Sequence, residues 1–220
     1  MDLYGVASEK LALIHLAGLW RGEQSAATAA KTLRKKFGLD RAFVLSVSSH
    51  LPHKNLDRLI AAFSRIREEV PHDLVLVGEQ FGNGSRIEEP IREANGEQPS
   101  RIRVTGFVSR EDLLGLYQIA DAFVFPSLFE GFGIPALEAM ECGCPVVASR
   151  ATSLPEVIGT AGEFFDPMDT NDIARALQKV CADSKLREEL RARGFERAKE
   201  FSWERMGEET MELYRRIAGN

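Results

Sequence analysis

Cysteine, tryptophan and positive charge are all scarce in this chain. Of its 220 residues three are cysteine and two tryptophan, and lysine plus arginine (28) fall short of aspartate plus glutamate (33), for a net charge of -5. Cys142, Cys144 and Cys181 form neither a disulfide framework nor a metal-ligand spacing: Cys142-Gly143-Cys144 is at most half a site, and no second Cys/His pair completes four ligands. The four histidines do not gather with acids at metalloenzyme spacings, so no metal is expected. Without a basic excess there is no general attraction to phosphate backbones, and no nucleic-acid partner is expected. No apolar stretch approaches the length of a membrane span, and the first residues lack the basic-then-apolar order of a signal peptide, which points to a cytoplasmic chain. Internal repeats, low-complexity segments and long linkers are absent as well.

What is present is an ordinary globular composition, 44% hydrophobic and 28% charged, enough for one substantial domain or two small ones. After residue 40, short apolar runs at 43–48, 74–77, 102–105, 122–126, 145–149 and 163–165 read as strands. Their near-continuous apolar character is what a parallel sheet covered on both faces requires. Between them lie helical stripes: Leu56, Leu59, Ile60, Phe63 and Ile66 after a capping Asn55, and Leu113, Leu114, Leu116, Tyr117 and Ala120 after Ser109. Such alternation predicts an α/β fold, a single Rossmann-like doubly wound parallel sheet, closed by C-terminal helices over 170–182, 184–201 and 202–218. Trp203, Met206, Leu213 and Ile217 share one face of the last helix, which must bury against the side of the sheet or another domain. Upstream, residues 11–17 are a candidate strand, and residues 25–36, alanine-rich and ending in basic residues, form a good helix. The expected organisation is a leader over 1–40, the α/β domain over 41–200 and a terminal helix over 201–220.

One stretch, FEGFGIPALEAM at 129–140, carries chemistry. It follows a strand, turns on Gly131 and Gly133, and enters a helix whose first turn holds Pro135. In an open parallel sheet such a turn lies at the carboxyl ends of the strands, where ligands bind and a helix N-terminus offers free N–H groups to an anion. Glu130 on the turn and Glu138 on the helix would then face that crevice, and carboxylates accept from hydroxyls. The pair points to a ligand with phosphates at the helix end and sugar hydroxyls beside them. From local pattern alone, Glu138 reads rather as a solvated helix residue and Glu130 as a turn residue.

Four segments in order, HLPHKNLDRLIAAF (50–63), VTGFVSREDLLGLYQIADAFVFPSLFEGFGIPALEAMECGCPVVAS (104–149), SLPEVIGTAGEFFDPMD (153–169) and FSWERM (201–206), resemble the C-terminal, donor-binding domain of retaining GT-B glycosyltransferases that use nucleotide sugars such as GDP-mannose or UDP-glucose. The likeness covers roughly residues 38 to 215, and its order makes it far more specific than any single Gly-rich match. It implies that Glu130 contacts the donor sugar, that Glu138 binds ribose hydroxyls, and that Gly131, Phe132, Gly133 and Ile134 hold phosphate and sugar through their backbone. Lys54 matches the lysine that pairs with the diphosphate, and Gly106, Phe107 and Val108 match the segment that meets the nucleobase. Many relatives carry an arginine about five residues before that lysine; here the position is near Ser49, with His50 adjacent, so His50 or a water-mediated Ser49 contact would have to take its place. Lys54 sits at a helix start, where a cation opposes the helix dipole, and a bound diphosphate would supply the missing negative partner. Lys54 and the helix N-terminus at Gly133 would stabilise the leaving diphosphate, and the chain has no Asp-x-Asp motif, so neither cofactor nor metal is expected.

The resemblance also implies partners. Residues 4–10, with 11–18, are similar to the interdomain segment that leads into the second GT-B domain. The expectation is therefore a donor half that transfers a hexosyl unit such as mannose or glucose only with a missing N-terminal acceptor domain or partner chain. Membrane association would reside in that missing half. The alternative is a non-catalytic nucleotide-sugar-binding or regulatory subunit of a glycosyltransferase complex.

Overall fold

The computed structural model of the chain describes residues 6–20, 27–79, 87–96 and 100–219. Tyr4 and Gly5 of the leader, and Ser25 of the predicted first helix, lie outside the described residues. Six strands, β1 (Ala42–Val47), β2 (His72–Val77), β3 (Ile102–Gly106), β4 (Ala122–Phe125), β5 (Val146–Ser149) and β6 (Gly162–Phe165), form one parallel sheet in the order β3-β2-β1-β4-β5-β6. Each predicted strand is found within two residues at either end.

The helices fall on both faces. α1 (Ala27–Phe37), α4 (Arg110–Ile119) and α5 (Ile134–Glu141) cover one side, and α2 (Leu56–Ile66), α3 (Glu88–Asn95) and α7 (Thr170–Ala182) the other; α8 (Ser184–Ala198) joins both, Ala198 in the first cluster and Leu190 in the second, and α6 (Leu154–Ile158) follows β5. The period of two along each strand divides the core. Phe43 and Leu45 of β1 join Phe123 and Phe125 of β4 beneath α4 and α5, whereas Val44, Leu74, Leu76 and Val124 face α2 and α7. Tyr117, Phe123 and Phe125 stack in series with ring centroids 5.5 and 5.6 Å apart, all without solvent contact. Each such ring is worth about 1.5–3 kcal/mol of burial. Leu33 of α1 packs against Gly115 of α4 so closely that a Cβ there would lie 2.3 Å from the leucine methyl.

The strand order reverses between β1 and β4, and the loops leaving those two neighbours part to opposite sides. That divergence opens a crevice at the carboxyl ends of the strands, the usual ligand position in this architecture.

Three expectations are corrected. Residues 11–17 are not a strand: the segment 11–20 runs without regular structure outside the sheet, tied by the Trp20 N–H to Glu141 Oε2 (2.9 Å), by Arg110 to the Leu19 carbonyl (3.2 Å) and by the Trp203 indole N–H to the Gly18 carbonyl (2.9 Å). The last helix, α9 (Trp203–Ala218), buries no residue; Trp203, Met211, Tyr214 and Ile217 are exposed, so its apolar face does not pack on the side of the sheet. Asn55 occupies the start of α2 but does not cap it. Its φ is +58°, its side chain makes no capping bond, and its amide instead reaches across the crevice.

Candidate functional site

The amide of Asn55 donates to the carbonyls of Pro126 (3.0 Å) and Pro167 (2.8 Å), and the residue is 1% exposed. It thereby joins the loops that leave β1, β4 and β6. Two carbonyls that would otherwise be buried without donors are satisfied by one side chain, which is why Asn rather than an apolar residue stands here.

This join sets the position of the preceding residue. Lys54 ends a 3-10 turn (Pro52–Lys54), and its Nζ lies 2.6 Å from Glu130 Oε1 and 5.7 Å from the centre of the Phe125 ring. The side chains of the pair are 16% and 13% exposed. The ion pair therefore spans the switch point, one charge from the β1 loop and one from the β4 loop, in a setting dry enough that losing either partner leaves an expensive lone charge. In the ligand-free chain Glu130 is the negative partner of Lys54, a place that the sequence pattern assigns to a bound diphosphate.

The main chain of Glu130 is held from a third loop. Thr152 Oγ1 accepts the Glu130 N–H and donates to the Glu130 carbonyl, each at 3.0 Å, and Ser153 Oγ lies 3.0 Å from the same carbonyl and 2.9 Å from that of Phe132. The turn then enters α5 through Gly133, at φ +106°, where a Cβ would meet Leu154 at 2.6 Å. Gly131 has no such constraint: nothing lies within 4 Å of its virtual Cβ and its φ is not positive, so only Gly133 needs to be glycine for the backbone. Gly133 and Ile134 begin α5; Pro135 has no N–H and the Ala136 N–H bonds back to the Gly133 carbonyl at 3.0 Å, so the donors that the helix itself leaves to a ligand are the Gly133 and Ile134 N–H groups. The Phe132 side chain turns away, packing 5.8 Å from Phe201 and 6.1 Å from His15 between ring centroids.

Glu138 does not stand beside Glu130. One helical turn beyond Ile134, it is 7% exposed and accepts from the buried Tyr117 hydroxyl at 3.4 Å. Burial raises its carboxyl from 4.5 to about 7; the Tyr117 hydroxyl opposes the rise, Glu141 adds to it, and Trp20 and Arg110 oppose it. The same burial, with the neighbouring carboxylate, pushes the Tyr117 phenol well above its usual range. Arg110 lies over the Trp20 ring at 4.6 Å, so the segment before α1 and the start of α4 close over this carboxylate.

Gly106, at φ +70°, ends β3 with its carbonyl accepting from Gly78 N–H at 3.0 Å. Phe107 beyond it is 80% exposed, whereas Val108 is in the core. His50 is buried, its main-chain N–H donating to the Glu79 carbonyl at 3.1 Å, and it lines a side cavity of about 420 Å³ with Gly78, Glu79, Val104 and Gly106. Burial lowers the pKa of its imidazole, which favours the uncharged form. Ser49 beside it is half-buried. Among the described residues, no group of three or more His, Cys, Asp or Glu is placed to hold a metal. Asn55, Thr152 and Ser153 carry no motif-like spacing; only the tertiary contacts single them out.

Fold and site together define an α/β domain with a charged crevice at the switch point of a six-stranded parallel sheet. The family profile described as "Glycosyl transferases group 1" matches residues 30–197, and the chain belongs to that family. It is 36% identical over 189 residues to a "Serotype-specific mannosyltransferase WbdA" of Escherichia coli, covering 85% of this chain and 23% of that protein. It is 38% identical over 177 residues to an Escherichia coli "O-antigen chain mannosyltransferase B", covering 80% and 46%. Thus the chain spans less than half the length of these two relatives. Among solved structures, sucrose-phosphate synthase from Thermosynechococcus elongatus aligns with a TM-score of 0.75 at 29% identity, over 93% of this chain and 50% of that one. A glycosyltransferase from Rickettsia africae aligns with a TM-score of 0.86 at 18% identity, over 99% and 60%, a likeness of fold. The chain carries a glycosyltransferase domain, and its homologues are named glycosyltransferases and mannosyltransferases. No described helix is long and apolar enough to cross a membrane.

Proposed function

We propose that this chain is the donor-binding domain of a retaining, metal-independent hexosyltransferase, working with an N-terminal acceptor domain. The observation that carries the reading is the Lys54–Glu130 pair at the switch point, beside the N-terminus of α5. A nucleotide sugar entering the crevice sets its diphosphate against Lys54 Nζ and the Gly133 and Ile134 N–H groups at the start of α5, replacing Glu130 as the lysine's partner. Glu130, so released, accepts a hydroxyl of the donor sugar. Glu138 receives the ribose hydroxyls when the Trp20 segment yields access, and the base meets the Gly106–Val108 backbone. As the glycosidic bond breaks, negative charge grows on the diphosphate, and a cation and helix N-terminus already in place stabilise it without reorganisation. The relatives' names favour mannose as the transferred sugar. Because orientation of both reactants supplies much of the rate, the domain alone transfers slowly or not at all.

Calorimetric titration with GDP, UDP, ADP and their common sugar conjugates, with and without EDTA, tests this reading. Selective binding of one nucleotide that EDTA leaves unchanged supports it. Failure of every nucleotide to bind rejects it for the isolated chain. Binding without transfer in the presence of the acceptor domain favours the alternative, a non-catalytic nucleotide-sugar-binding subunit.

A further inference from the structure

Among the described residues two other than glycine have positive φ, Asn55 at +58° and Thr152 at +47°, and both border the Lys54–Glu130 pair. Asn55 is explained by its buried bonds to Pro126 and Pro167. Thr152 is different: it is exposed, in the loop between β5 and α6, so no demand of the core forces its backbone. A β-branched side chain in this region is a true outlier, since Cβ crowds the following carbonyl. Such a conformation persists only where its surroundings over-determine it.

The surroundings that do so are the two main-chain bonds to Glu130, both made by one hydroxyl at 3.0 Å. Glu130 needs an outside hold, because Phe129 before it is exposed and Gly131 after it meets nothing within 4 Å. With the main chain of Glu130 fixed, its carboxylate has a set reach to Lys54.

We propose that Thr152 is a positioning residue for Glu130, accepting an unfavourable backbone so that its hydroxyl fixes the carboxylate against Lys54. By extension, which rests on the donor-binding reading above, it also sets where Glu130 meets the donor sugar.

The test compares Thr152→Ser, which keeps the hydroxyl, Thr152→Val, which keeps the shape, and Thr152→Gly, which relieves the backbone and removes the hydroxyl. Glu130→Gln serves as the reference for a broken pair. One readout is the acetylation rate of the Lys54 amine by acetic anhydride, followed by peptide mass spectrometry without any ligand; the other is Tm. Loss of the hydroxyl in the Val and Gly variants is expected to raise Lys54 labelling roughly fivefold, toward the Glu130→Gln level, while Thr152→Ser stays at the parent rate. Thr152→Gly is expected to keep or raise Tm while its lysine loosens, a combination that a mere loop tie does not produce. Parent-level labelling in both the Val and Gly variants would overturn the proposal, as would a lower Tm in Thr152→Gly with labelling unchanged. For the extension, Thr152→Val should weaken a nucleotide sugar more than the matching nucleoside diphosphate; equal losses would overturn it. If the parent binds no nucleotide, the donor-binding reading fails and the labelling comparison still decides the role of Thr152.

Discussion

The hydroxyl of Tyr117 donates to Glu138 Oε2 at 3.4 Å inside the domain, a phenol and a carboxyl brought out of water together by α4 and α5. Of the pair, the carboxyl is the group that titrates near neutrality, at about 7.

Stability should therefore depend on pH through Glu138. Its folded pKa lies above the unfolded value, so the folded state binds the extra proton, and the associated stability is fully present below about pH 4.5 and lost as pH rises to about 7. The shift corresponds to something on the order of 3 kcal/mol. Glu138→Gln should flatten the stability profile between those pH values and raise Tm at pH 8, as differential scanning fluorimetry across pH will reveal. The same variant should lose affinity for a nucleoside by about 1–3 kcal/mol if the carboxylate receives ribose hydroxyls; unchanged affinity would remove that role.

Replacing Lys54 acts twice. Lys54→Ala leaves Glu130 nearly buried without its counter-charge, so urea denaturation should show a loss of about 1–3 kcal/mol. In calorimetry the variant should weaken a nucleoside diphosphate more than the parent nucleoside; equal losses would argue against diphosphate contact.

Asn55 separates backbone from side chain. Asn55→Gly keeps the left-handed backbone and drops the bonds to Pro126 and Pro167, an expected cost of about 2 kcal/mol. Asn55→Ala adds the strain of a positive φ, about 1 kcal/mol more. Equal chemical-denaturation midpoints for the two variants would show that the backbone conformation is not demanded.

Ending the chain at Phe201 removes α9, which buries nothing of its own. The loss should be little more than the Trp203–Gly18 bond, about 1 kcal/mol, and the domain should stay folded. A large drop in Tm would mean that α9 is integral to the domain.

Much of this architecture is legible in the residues. Strands such as Leu74–Val77 read directly because a strand covered on both faces must be apolar at every position, and the run of six buried residues in β2 is the structural counterpart. α3 and α6 are absent from the predictions because eight and five residues span too few turns to show a stripe. Residues 11–17 are apolar enough for a strand, yet His15 pairs with Glu156 and packs on Phe132 and Phe201, and residues 18–20 bond to the side chains of Trp203, Arg110 and Glu141 rather than to a neighbouring strand. Asn55 has the right residue type for a cap; tertiary carbonyls compete for its amide and win.

The sequence by itself determined the alternation of elements, the glycine turn before α5 and the identity of the charged residues, because burial period and turn chemistry are local. Which charges meet was decided only by the tertiary structure. Lys54 and Glu130 are 76 residues apart and touch because β1 and β4 are neighbours in the sheet, and Thr152 reaches Glu130 because β5 is the next strand. Strand order is a global solution to covering both faces of the sheet, and no local pattern encodes it.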